Sequence, residues 1–150
     1  MLTLQQISDR MEIQDLLYRY ADLIDRKRFD ELASVFSDDA HVDYSAMGGA
    51  VGNRDETIAF LKKVMPMFPA TQHSNSNVQI RLDERDPDRA TGRVMCFNPQ
   101  QFPLPRGGTQ LVMMGLWYVD EYVRTADGWR IRRRSEEKSW VFNAPDFLKL

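Results

Sequence analysis

The stretch PATQHSNSNVQI carries His73 among side chains that hydrogen-bond rather than pack. An imidazole titrates close to neutrality and can take a proton from a substrate carbon, which is general-base chemistry. It does so best when a carboxylate fixes its tautomer and stabilises the imidazolium. Asp25 is a carboxylate suited to that role. It falls at the edge of the apolar stripe of the first expected helix, off the face where Asp15 stands one turn before Arg19 and Asp22 one turn before Arg26. The competing reading of His73 is a surface histidine in a polar loop, and its neighbours alone do not decide between the two.

Tyr44 closes the segment HVDY, where strand alternation puts Val42 and Tyr44 on one face and His41 and Asp43 on the other. An inward Tyr44 hydroxyl can donate to a substrate oxygen, or be satisfied by backbone. His41 then faces out, so DDAHVD does not assemble a metal site with the chain's other histidine, and no metal is expected. GGAVGN has neither dinucleotide nor phosphate-loop spacing and reads as a turn. Cys96, the only cysteine, lies inside an apolar strand with nothing to activate it, and no G-x-S-x-G elbow occurs.

These residues need elements to hold them. The 150-residue chain, with a net charge of −2, is expected to form one domain over residues 1–150, large enough for a core with an internal pocket. The basic run Arg130, Arg132, Arg133 and Arg134 is followed at once by Glu136 and Glu137, so nucleic acid is not an expected partner. A lone cysteine, a polar N-terminal segment and the lack of a long apolar run lead to the expectation of a cytoplasmic protein away from membranes.

Helical spacing of Ile13, Leu16, Leu17, Tyr20 and Ile24 predicts a long helix from Thr3 to about Lys27. FDELASVF predicts a second, from Phe29 to Phe36. Asn53 and Glu56 in capping-box positions predict a third, from Arg54 to Met65, stopped by Pro66. NVQIRLD, RATGRVMCFN, QLVMMGLWYVDEYVRT and GWRIRRRSEEKSWVF read as strands separated by turn clusters. The expected class is α+β, three N-terminal helices covering a curved, mainly antiparallel sheet. Met65, Met67, Met95, Met113 and Met114, with Phe97, Trp117, Tyr118 and Trp129, are expected to line or floor the pocket on its concave side, most of them as ordinary core.

LLYRYADLIDRKRFDELASVFSDDAHVDY, TQHSNSNVQI and GLWYVDEYVRTADGWRIRRR together resemble the SnoaL-like branch of the NTF2-like superfamily, from about Ile7 to Trp140. The enzymes of that family it looks most like are scytalone dehydratase, bile-acid 7α-dehydratase and γ-hexachlorocyclohexane dehydrochlorinase. The resemblance implies a cone-shaped α+β barrel, a cofactor-free lyase pocket and a homo-oligomer, often a trimer. It places the family's dyad on Asp25 and His73, and its pocket tyrosine on Tyr44. Tyr20 stands where the dehydrochlorinase has a lysine, and the polar pocket positions of the dehydratase fall near Trp117 and Val119. The family's arginine falls on Arg134, although alternation from Trp129 points Arg133 inward unless a bulge intervenes.

The expected function is a cofactor-independent lyase, a dehydratase acting on a small hydrophobic, cyclic, hydroxylated substrate. His73 is its base, Asp25 the partner, and Tyr20, Tyr44 and Arg134 donate to the oxygen that gains charge. A double-bond isomerase or dehydrochlorinase using the same dyad is one alternative. A non-catalytic small-molecule-binding protein of the same fold is the other.

Overall fold

A computed structural model describes residues 1–148. Helix α1 (Leu4–Asp25) opens on a Thr3/Gln6 capping box and buries the expected stripe of Ile13, Leu16, Leu17, Tyr20 and Ile24. It ends sharply. Lys27 takes the left-handed conformation with φ 59°, and the Lys27 and Arg28 N–H groups donate to the Ile24 and Leu23 carbonyls at 3.0 and 2.8 Å. This Schellman ending usually has glycine at the left-handed position. Here the Lys27 ammonium instead donates to the Phe68 carbonyl at 2.9 Å and ties the helix end to a distant segment. Asp25 is thereby fixed as the last helical residue, where the helix dipole disfavours a carboxylate.

The second expected helix is only a 3₁₀ turn, Phe29–Ser34. Strand β1 (Phe36–Asp43) captures Phe36 and the SDD segment, because Phe36 pairs with Ile131 and the Ile131 N–H donates to the Val35 carbonyl at 2.9 Å. GGAVGN, read as a turn, also holds a short strand, β2 (Val51–Asn53), antiparallel to β1. Helix α2 (Arg54–Val64) carries the Asn53/Glu56 capping box as expected, and a 3₁₀ turn, Met65–Met67, forms around Pro66.

The other strands are β3 (Ser74–Leu82), β4 (Arg89–Pro103), β5 (Thr109–Thr125) and β6 (Gly128–Phe142). The sheet order is β2-β1-β6-β5-β4-β3, with β3 to β6 a continuous antiparallel meander and β1 joined to β6 in parallel. The chain is therefore α+β with a mainly antiparallel sheet, as expected. Register shifts between β3 and β4 and at two places between β5 and β6 bend that sheet around α1. No helix among the described residues is long and apolar enough to cross a membrane.

One of those shifts decides where Arg134 points. Glu121 pairs with Arg133 but Tyr122 pairs with Ile131, so Arg132 is an extra residue. The bulge reverses the alternation, and Trp129, Ile131 and Arg134 are all buried while Arg133 is exposed.

Of the expected pocket lining, Met65, Met114 and Tyr118 stand on the cavity wall, while the rest on β4 and β5 has the wrong parity. On β4 the buried residues are Ala90, Val94, Cys96, Asn98, Gln100 and Phe102, and on β5 they include Val112, Met114, Leu116 and Tyr118. Met95, Phe97, Met113, Trp117 and Val119 alternate with them and so face the other side of the sheet. There Arg93 stacks 3.8 Å above the Trp117 ring, and Phe97 lies against Trp140 with centroids 6.1 Å apart. β5 is apolar on both faces, so its composition does not reveal which face is the inner one.

Candidate active site

His73 immediately precedes β3, in a segment zipped to β4. Gln72 N–H donates to the Pro99 carbonyl at 3.1 Å, and Gln101 N–H to the Ala70 carbonyl at 2.8 Å. Asp25 approaches from the end of α1 and grips His73 with both oxygens. Oδ2 accepts the His73 backbone N–H at 2.9 Å, and Oδ1 lies 2.7 Å from ring Nδ1. The histidine side chain is 6% exposed and the aspartate 23%.

A carboxylate only accepts, so Nδ1 carries the proton and Nε2 the lone pair. Asn98 Nδ2 is 3.1 Å from Nε2, and Thr71 Oγ1 donates to Asn98 Oδ1 at 3.0 Å, which orients the amide with its NH₂ toward the ring. The tautomer is thus held from both sides.

The structure brings Tyr20 and Tyr44 together with this pair. Their hydroxyls are 2.7 Å apart, and both residues line the same cavity as His73. One hydroxyl proton is used between them, which leaves one to offer a ligand. Burial pushes the Tyr20 hydroxyl above its ordinary range and Tyr44 well above it, so both stay protonated at neutral pH.

Arg134 is not brought to the cavity wall. Its Nε and Nη2 donate to the two oxygens of Asp120 at 2.8 and 2.7 Å, and its guanidinium lies 4.3 Å from the Tyr20 ring centroid and 4.0 Å from that of Tyr118. It supports the tyrosines from behind. Cys96 is buried, and burial pushes its thiol up to about 12, far from a reactive thiolate.

The cavity holds about 240 Å³. Its apolar wall includes Ile24, Phe60, Leu61, Met65, Phe102 and Leu116. Its polar groups include His73, Tyr20, Tyr44, Asn98, Gln100 and Glu136. A larger cleft of about 660 Å³ elsewhere is lined mainly by charged side chains. Asn98, Gln100 and Glu136 were not anticipated. The polar alternation within FNPQQF, and the step of two from Arg134 to Glu136, were the signals available for them.

Gly49 shows how closely Tyr44 is held. A Cβ at Gly49 would stand 2.5 Å from the Tyr44 Cβ and 2.9 Å from its carbonyl oxygen. Gly49→Ala is expected to destabilise the fold by about 1–3 kcal/mol and displace Tyr44. Thermal unfolding checks the first effect; an unchanged melting temperature would mean that the loop yields freely.

Comparison with known proteins bears on this arrangement. Residues 5–135 match the SnoaL-like domain family. An uncharacterized protein of Mycobacterium tuberculosis is 46% identical over 138 residues, 92% of this chain and 90% of its own. Hexachlorocyclohexane dehydrochlorinase 1 of Sphingobium indicum is 24% identical over 133 residues, covering 89% of this chain and 83% of its own. The crystal structure of a candidate scytalone dehydratase from Novosphingobium aromaticivorans superposes with a TM-score of 0.82, covering 96% of this chain and 93% of its own. Its 21% identity makes that a likeness of fold alone.

Proposed function

The chain belongs to the SnoaL-like domain family, and from that premise we propose that it is a lyase of the proton-abstraction type. His73 Nε2 takes a proton from a carbon next to a carbonyl, and Asp25 holds the imidazolium that results. The hydroxyl of the Tyr20–Tyr44 pair that remains free donates to the carbonyl oxygen as it gains charge. Loss of water from a cyclic, hydroxylated substrate completes the reaction, with no cofactor required.

One observation carries this reading: both Asp25 oxygens are spent on His73, while the other side of the ring faces a largely apolar cavity. Its size narrows the substrate. A cavity of roughly 150 Å³ holds a benzene ring, so about 240 Å³ suits one or two fused rings, smaller than a steroid or large terpenoid. The protein is taken to work in the cytoplasm as a homo-oligomer. Exposed Phe97, Trp140 and Phe142 on the outer sheet face offer an apolar contact surface for a second copy.

The Asn98 contact favours a second reading, because its amide occupies the lone pair that a base needs. If substrate does not displace Asn98, the cavity only binds. Incubating the protein with one- and two-ring β-hydroxy ketones and following mass separates these. A lyase yields a product lighter by one water. An isomerase takes up solvent deuterium without that loss. A binding protein retains the ligand unchanged, and that result would end the enzymatic reading.

A further inference from the structure

Glu136 lies on β6 two residues beyond Arg134 and lines the same cavity as His73. Its register partner on β5 is Tyr118, which pairs with Val94 on β4, four residues along that strand from Asn98, where the amide meets His73. Two strand spacings across, on the order of 10 Å, and four residues along, about 13 Å, separate the two backbones. Both side chains line the cavity between them, so a ring substrate lying in it can meet both.

One oxygen of the carboxyl is set there without a partner. Its Oε2 is closed off from solvent and has no hydrogen-bond partner among the described residues. The titratable groups around it are Arg134 on its own strand, Asp43 on β1, Tyr118 on β5, Cys96 on β4, Tyr20 on α1 and Tyr44. Burial pushes its acid constant up to about 8; Asp43 adds to the rise, and Arg134 and the Met47 N–H oppose it. A neutral acid there holds a proton, and its Oε2 has no protein partner to share it with.

We propose that Glu136 is the general acid of this site, giving its proton to the departing oxygen of a ring alcohol whose neighbouring C–H faces His73. This rests on the reading of His73 as the base. The C–H proton passes to Nε2 and its electron pair forms the new double bond. The C–O bond breaks, and the oxygen leaves as water with the Glu136 proton. An imidazolium and a carboxylate remain; the first returns its proton to solvent and the second takes one back.

Two measurements test this. The first needs no ligand. Between about pH 4.5 and about 8 the folded chain keeps a proton on Glu136 that the unfolded chain has released, so this group's contribution to stability is lost as pH rises through that window. Glu136→Gln has no titratable group there, so the difference in melting temperature between it and wild type should move in the variant's favour as pH rises. A difference that stays constant means the carboxyl is ionised at neutral pH and overturns the proposal.

The second uses 3-hydroxycyclohexanone in deuterium oxide, which reports C2–H exchange and water loss separately. Glu136→Gln is expected to slow water loss by about 10²-fold or more relative to exchange, and to abolish the fall in water-loss rate above about pH 8. His73→Ala is expected to lose both reactions. Water loss unaffected in Glu136→Gln, with exchange still dependent on His73, overturns the acid and leaves the base. Exchange that survives in His73→Ala, or is absent from wild type, removes the base and the acid with it.

Discussion

His73→Ala is expected to lower kcat/KM for proton abstraction by about 10²- to 10⁴-fold, the usual worth of a positioned base. The fold should survive the change. Asp25 keeps some solvent exposure and its bond to the backbone N–H of residue 73, so the cost in stability is that of a hydrogen bond, about 1 kcal/mol. Asp25→Asn should fall nearly as far in rate for a geometric reason. Both oxygens of Asp25 face donors, the backbone N–H and Nδ1, so an asparagine must set its amide N–H against one of them. The ring then turns or changes tautomer, and the lone pair leaves the cavity. Because the two residues act as a unit, the double variant should be little worse than either single one. Additive losses in the double variant would show that Asp25 contributes by some route other than His73.

Asp120→Ala is expected to destabilise the fold by roughly 3–5 kcal/mol, on the order of 10 °C in melting temperature for a chain of this length. Both side chains of the Asp120–Arg134 pair are 0% exposed, and Asp120 also accepts from the Tyr122 hydroxyl at 2.9 Å. Removing the carboxylate leaves a buried guanidinium between Tyr20 and Tyr118 with no counter-charge. An exposed pair such as Arg26–Asp22 should cost no more than about 1 kcal/mol when broken. Replacing both partners, as Asp120→Leu with Arg134→Met, should restore much of the lost stability because no charge is then stranded. If the double replacement is as unstable as Asp120→Ala, packing at that point matters more than charge.

Arg134 also shows what could and could not be read from the chain. Alternation counted from Trp129 favours Arg133 as the inward residue, while the family pattern favours Arg134. The bulge at Arg132 settles the direction for Arg134, yet Asp120 then draws it away from the cavity. A bulge has no side-chain signature in GWRIRRRS, so its site was not legible. The helical stripe of α1 and the capping box of α2 were legible because each is a local pattern with a local cause.

The segment TQHSNSN hid its nature for the opposite reason. Thr71, His73 and Asn75 alternate toward the interior, and all three are polar because each makes a hydrogen bond there. Thr71 bonds to Asn98, His73 to Asp25, and Asn75 to the Leu17 carbonyl at 3.0 Å. A strand end that buries polar groups in this way carries no hydrophobic period, so it resembles a loop. The same lack of contrast, with apolar residues on both faces, concealed the inner face of β5 and reversed the expected pocket wall.

Exchange of the C2–H of 3-hydroxycyclohexanone with deuterium oxide, followed by mass in parallel for wild type and His73→Ala, is the most direct test of His73 as a base held by Asp25. It depends on proton abstraction alone and not on the leaving group. Wild type is predicted to incorporate deuterium at C2, and His73→Ala to do so about 10²-fold more slowly or less. Equal incorporation by the two proteins, or none by wild type, would contradict it.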